Sequence, residues 1–176
     1  MTNVNTPITQ LPPVVGSLTG AELTAVVQGG TTKQTTVRNL GSGWYVNTFP
    51  AAIEYIVDGG GAAISAPGVK GYLSVPFAAT IQSVSLMADR VGDVVTDIWM
   101  CDTSTFDAGL TAPTSANSIT GTLQPTITST TYYNNGSLVG WTTSIGSSNI
   151  LAFYVQSCNA IQRLTISLQL TRQISS

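Results

Sequence analysis

The most regular pattern in the chain lies near its end. Across residues 161–172 apolar and polar side chains alternate, with Leu164, Ile166, Leu168 and Leu170 on one face and Arg163, Thr165, Ser167, Gln169 and Thr171 on the other. A period of two sends successive side chains to opposite sides of a strand, so this segment reads as an antiparallel strand with one wet face. Shorter versions recur upstream. Residues 53–58 end in Gly59-Gly-Gly61; residues 69–77 set Val69, Gly71, Leu73, Val75 and Phe77 on one face, with Pro76 marking an edge or a strand end. Residues 81–90 carry Val84, Leu86 and Ala88 on one side, and residues 94–100 set Val94, Ile98 and Met100 opposite Asp93, Val95, Asp97 and Trp99. Residues 126–131, 141–145 and 150–156 complete the series, parted by the turn signals Asn134-Asn-Gly136 and Gly146-Ser-Ser-Asn149. Between Cys101 and Thr122 the chain is irregular, with room for short helical turns only. No segment sustains a helical period. About eight short strands at this spacing predict an all-β domain, an antiparallel two-sheet β-sandwich of jelly-roll type.

The first 43 residues follow another rule. Thr6-Pro-Ile-Thr-Gln-Leu-Pro-Pro13 is too rich in proline for a helix or a central strand, because each proline lacks an N–H donor. In the segment from Leu18 to Gln28, residues 21–23 suit a helical turn and Val26 and Val27 a short strand. Gly29-Gly30 then marks a tight turn, and residues 31–37 form the returning strand. Such an extended arm with a β-hairpin holds too few apolar groups for a core, and a lone hairpin is marginal in water. It needs something to lie against. Gly41-Ser-Gly43 is the expected hinge, which divides the chain into an arm, residues 1–43, and a sandwich, residues 44–176.

Composition sharpens this picture. Hydrophobic residues make up 43% of the 176 and charged residues only 8%, against about 25% charged in an ordinary domain. Serine and threonine fill a quarter of the positions instead. Scarce charge suits surfaces that are buried in assemblies, where charge is costly to desolvate, and it also suits β-rich extracellular or particle-surface proteins, where hydroxyls line the strands. The net charge is -2 and the six Lys and Arg are scattered, so no nucleic acid is expected as a partner. The chain has no histidine and two cysteines, Cys101 and Cys158. That removes histidine-based catalysis and zinc sites, so neither a metal nor a cofactor is expected. Both cysteines are expected as free, buried thiols. The opening residues show no signal-peptide pattern and no stretch is long and apolar enough to span a bilayer, so synthesis in the cytoplasm without a membrane span is expected.

Few residues offer chemistry. Glu54 and Asp58 share a strand face, and a pair of carboxylates is what a glycosidase needs; the plainer reading is a solvated face with Asp58 capping the glycine turn. Asp89, Asp93 and Asp97 could approach a hard cation, but the oxygen-rich spacing of calcium loops is missing, and a solvated face again accounts for them. Gly59-Gly-Gly61 lacks the Lys-Ser/Thr and the helix of a phosphate loop. There is no Gly-x-Ser-x-Gly elbow and no Ser-x-x-Lys. An enzyme is not expected. Among the aromatics Trp44, Tyr45, Trp99, Tyr132, Tyr133 and Trp141, a sugar-stacking platform would be made by Tyr132, Tyr133 and Trp141, the alternative being core packing.

Ile8-Thr-Gln-Leu-Pro12, Leu18-Thr-Gly-Ala-Glu-Leu23 and the Val26–Val37 hairpin resemble an N-terminal segment of tailed-bacteriophage virion proteins, shared by fibres, spikes and decoration proteins. The remainder resembles a C-terminal phage β-sandwich module. The residues that carry this likeness are Ile53-Glu-Tyr-Ile-Val-Asp-Gly-Gly-Gly61, Gly68-Val-Lys-Gly-Tyr-Leu-Ser-Val-Pro-Phe77, Asp97-Ile-Trp99, Ser118-Ile-Thr120, Gly140-Trp-Thr-Thr-Ser-Ile145 and the strand of residues 163–172. Cys101-Asp-Thr-Ser-Thr-Phe106 departs from that module, which more often continues with Lys-Asp. The resemblance implies a homotrimeric structural protein of the virion that docks on major capsid or tail proteins by its arm and displays the sandwich outward. A capsid decoration protein (cement or head fibre) and a short tail fibre both fit it. It also implies Leu11, Leu18, Leu23, Val26, Val27 and Val37 as anchor and inter-subunit contacts. The alternative is a tail-fibre tip that binds a receptor or host surface glycan through Tyr132, Tyr133 and Trp141.

Overall fold

The computed structural model describes residue 21 and residues 23–36, 48–107 and 112–173. The chain divides into two compact units, Met1–Val46 and Asn47–Ser176.

In the first unit, β1 (Leu23–Gln28) pairs antiparallel with β2 (Thr31–Thr36), in register from Leu23 opposite Thr36 to Gln28 opposite Thr31. The two-residue turn needs positive φ at both positions, and Gly29 and Gly30 supply 61° and 76°. Leu23 opens the strand and does not belong to a helical turn. The run Leu-Thr-Ala-Val-Val is rich in β-branched residues that stack well across a hairpin.

The second unit is an antiparallel β-sandwich of β3 (Thr48–Asp58), β4 (Gly68–Val75), β5 (Ala79–Asp102), β6 (Thr126–Asn135), β7 (Ser144–Ile145), β8 (Asn149–Asn159) and β9 (Arg163–Gln173). The strand order is β3-β9-β5-β8-β4, with β6 and β7 also on β5. The register explains how these strands make two layers. β5 pairs with β9 through its first half, Ala79 to Ala88, and with β8 through its second, Asp93 to Asp102. β3 runs along β9 and β4 along β8. Hence β3 and β4, β9 and β8, and the two halves of β5 are three end-to-end lines, with β6 beside β5 as a fourth. The ribbon folds over a crease that crosses residues 59–67, 88–92 and 160–162. Tyr55 of β3 then stacks on Phe153 of β8, with ring centroids 4.2 Å apart, and its hydroxyl donates to the Lys70 carbonyl of β4 at 2.7 Å.

The core lies between the layers. Leu164, Ile166, Leu168 and Leu170 of β9, Val84 and Leu86 of β5, and Leu151, Phe153 and Val155 of β8 are all buried, the inward half of each alternating pattern. The two strands expected at 81–90 and 94–100 are one bent strand. Polar Asp89–Gly92 reads as a turn in sequence, but there the pairing partner changes from β9 to β8 across a register shift, and the strand itself continues. Likewise β6 runs on through Tyr132 and Tyr133 to Asn135, and of residues 141–145 only Ser144 and Ile145 pair. The connection after β5 holds a single-turn helix, α1 (Thr103–Asp107), and a 3-10 turn at Ser115–Asn117.

Candidate functional surfaces

Within the hairpin, Leu23, Ala25 and Val27 share one face, opposite Thr36, Gln34 and Thr32, while Val26 lies on the other face beside Lys33. Leu23 is 61% exposed and Val27 75%. Val26 is half-buried. Leu11, Leu18 and Val37 lie outside the described residues.

The three aromatics expected to stack on sugar do not form one platform. Tyr132 and Tyr133 are neighbours on β6 and point to opposite faces, so Tyr132 is exposed while Tyr133 packs against the core. Trp141 is buried, and its indole N–H donates to the Leu123 carbonyl at 3.0 Å. Only Tyr132 remains on the surface. It stands in register with Met87, Thr165 and Ile56, a row across β6, β5, β9 and β3 whose ends and Met87 are exposed. The next row is Asn134, Ser85, Ser167 and Glu54.

Glu54 and Asp58 do share the outer face of β3, but Asp58 is fully engaged. One of its oxygens accepts the Gly60 N–H at 2.7 Å, capping the glycine turn as expected, and the other accepts the Arg163 guanidinium at 2.7 and 3.0 Å. The Gly60 amide, then Arg163, hold this carboxyl below its ordinary range. Asp89 closes the same crease from β5. One oxygen accepts the backbone N–H groups of Gln162 and Arg163 at 3.0 and 2.9 Å, and the other accepts the Arg90 Nε at 2.8 Å. The Arg163 amide is the main reason that its carboxyl is held down at about 2. Asp93 accepts the Ser129 N–H at 2.8 Å, where Ser129 turns through a φ of 50° opposite the crease.

Asp97 is not on a solvated face. It is buried, and accepts its neighbour's amide (Ile98, 2.7 Å), the Trp99 indole N–H (2.7 Å), the hydroxyls of Ser118 (2.8 Å) and Thr120 (2.7 Å), and the Gln124 amide (3.3 Å). Ile98 and Trp99 belong to β5 itself, while Ser118, Thr120 and Gln124 come from the connection between α1 and β6. That connection runs beside β5, bridging Ser118 to Trp99 and bonding the Ile119 N–H to the Ile98 carbonyl at 2.9 Å. The aspartates therefore brace the fold separately. Among the described residues no cluster of three or more His, Cys, Asp or Glu could hold a metal ion. Cys101 and Cys158 are free and half-buried, and burial pushes both thiols up.

One surface feature escaped the sequence reading. Beside α1 lies an open cleft of about 440 Å³ lined by Ser74, Thr103, Ser104, Phe106 and Ile150. Tyr72, exposed and two residues before Ser74 on the same face of β4, meets Phe106 edge-on with centroids 5.2 Å apart. The alternation of residues 69–77 already put Tyr72 and Ser74 on the outer face; nothing local announced that α1 would fold beside them. No helix among the described residues is long and apolar enough to cross a membrane.

No protein-family model matches the chain, and no curated protein matches it. Among solved structures, a chain from the structure of infectious bursal disease virus Gx strain is similar over 94% of this chain, at 9% identity and a TM-score of 0.27. This chain spans 42% of the length of that one.

Proposed function

We propose that this chain is a non-enzymatic structural protein of a tailed-phage virion, a homotrimer held by its N-terminal arm and displaying the sandwich. A capsid decoration protein or a short tail fibre, docked on major capsid or tail proteins, is the role that fits. The observation that carries this reading is the hairpin. A two-stranded sheet with Leu23 and Val27 61% and 75% exposed leaves apolar area in water that a neighbouring chain would cover. Each fully covered side chain of this kind contributes about 1.5–3 kcal/mol. The scarcity of charge points the same way, since little ionic surface has to be desolvated on assembly.

Sedimentation equilibrium tests it. The full chain should run at three times its 18.3 kDa mass, and the double variant Leu23→Asp/Val27→Asp at the single-chain mass with the melting of the sandwich unchanged. A wild-type chain that stays monomeric at its highest soluble concentration would refute the assembly. Imaging of intact particles by cryo-electron microscopy would then place it on head or tail.

A second reading, a receptor- or glycan-binding fibre tip, draws on Tyr132. It is the one residue of the expected trio that faces solvent, in a row with Met87 and Ile56.

A further inference from the structure

We propose that the cleft between β4 and α1 is a binding site for a neutral saccharide, with Tyr72 and Phe106 as the stacking surface and Ser74, Thr103 and Ser104 as the polar contacts. The proposal is independent of the trimer and of the Tyr132 face. Its starting point is how the cleft is built. Ser74 pairs with Ile150, which pairs with Cys101 on its other side, so the floor is the outer face of β4-β8-β5 at one end of the layer. Immediately after β5, Asp102 caps α1 by accepting the Thr105 N–H at 2.7 Å, and the Thr103 N–H donates to the Ser148 carbonyl at 2.9 Å. These bonds pin the helix so that Thr103, Ser104 and Phe106 form the wall facing Ser74.

The chemistry of the lining selects the ligand class. The five lining residues include no charged group, and the neighbouring Asp102 carboxylate is engaged in its own cap, accepting the Ser104 hydroxyl and the Thr105 N–H, so the lining itself offers an anion or a cation no counter-charge. A purely apolar ligand would leave three hydroxyls without exchange for their water. A pyranose matches both halves, since its C–H face packs on aromatic and aliphatic surface while its rim carries groups that both donate and accept. The hydroxyl of Ser104 is already oriented. It donates to Asp102 Oδ1 at 2.7 Å, which leaves the oxygen lone pairs of Ser104 to accept from a ligand O–H. The hydroxyls of Ser74 and Thr103 make no hydrogen bond to the described residues and are free to do either. The volume of about 440 Å³ lies within the roughly 300–1,000 Å³ of small-ligand sites, and the cleft is open at the surface, so a chain end or one internal unit of a longer glycan could enter.

The test uses the full chain and saturation-transfer NMR with a panel of neutral methyl glycosides (glucoside, galactoside, mannoside, rhamnoside and N-acetylglucosaminide), followed by titration of the strongest. At least one should receive saturation on its C–H protons. Tyr72→Ala and Phe106→Ala should each weaken it by about tenfold or more. Ser74→Ala, at an exposed strand position that the fold does not depend on, should weaken it with an unchanged melting temperature, and Tyr132→Ala should leave it intact. Absence of binding to every glycoside would overturn the proposal. So would binding that survives Tyr72→Ala and Ser74→Ala together, or that is lost with Tyr132→Ala; the last result would support the fibre-tip reading at the other face.

Discussion

Asp97 shows how much one side chain can organise here. Its carboxylate gathers five donors, two of them on β5 itself and three from residues 21 to 27 positions later. Burying a charge is costly unless hydrogen bonds replace its water, and here they do. Removing the acceptor strands the buried Trp99 indole N–H, at about 1–3 kcal/mol, and takes the carboxylate partner from the buried Thr120 hydroxyl, which keeps only Ser118 at 3.3 Å. Asp97→Ala should therefore lower the unfolding free energy in urea by about 3 kcal/mol or more. Asp97→Asn, which keeps the shape but turns one acceptor into a donor, should fall between. A loss of under about 1 kcal/mol for the alanine variant would mean that the connection beside β5 is held by its other bonds.

At the scale of elements, the crease is where β5 stays one strand while its neighbours change. Gly92 sits at that bend, buried, and a Cβ there would meet the Asn159 carbonyl and come within 2.9 Å of the Ile161 side chain. Neither can move away without disturbing the turn between β8 and β9. Gly92→Ala should cost about 1–3 kcal/mol, as overpacked sites do, whereas Gly60→Ala, at a turn where added atoms meet nothing within 4 Å, should be limited to the strain of its φ of 66°. Thermal melting of the two variants side by side checks the ordering. Among the described residues, the outer strands β3 and β4 pair on one side only. Pro50 in β3, Lys70 in β4 and Pro76 just beyond it are residues that discourage further strand pairing at an edge.

For the molecule as a whole, the crease carboxylates couple folding to pH. Asp89 titrates at about 2 in the folded chain against an ordinary value of 3.8. A carboxyl lowered by folding contributes stability that is present above its unfolded value and lost as pH falls through the folded one. Asp58 and Asp102, also lowered, act in the same direction. The urea midpoint should decline as pH drops from about 4 to about 2, and decline less steeply in Asp89→Asn; equal slopes would show that the clasp across the crease does not matter to stability. The sandwich closes its own core, while Leu23 and Val27 of the hairpin are exposed.

What the order of residues determined by itself was the alternation. Period-two patterning marks which side chain goes inward on each strand, and it placed Leu164 to Leu170, Val84, Leu86 and the outward Tyr72 correctly, as it did the Gly29-Gly30 turn and the Asp58 cap. All of these depend on neighbours a few positions away. It did not decide which outward faces would stay wet. Asp97, Tyr133 and Trp141 look like surface candidates until the connection from Ala112 to Pro125 lies down beside β5, its Ser118, Thr120 and Gln124 enclosing Asp97 and its Leu123 carbonyl accepting the Trp141 indole, and β6 turns Tyr133 inward. The single long β5, its shared crease and the cleft beside α1 likewise arise from contacts between residues tens of positions apart. Burial is a property of what covers a face, and that is set by tertiary packing.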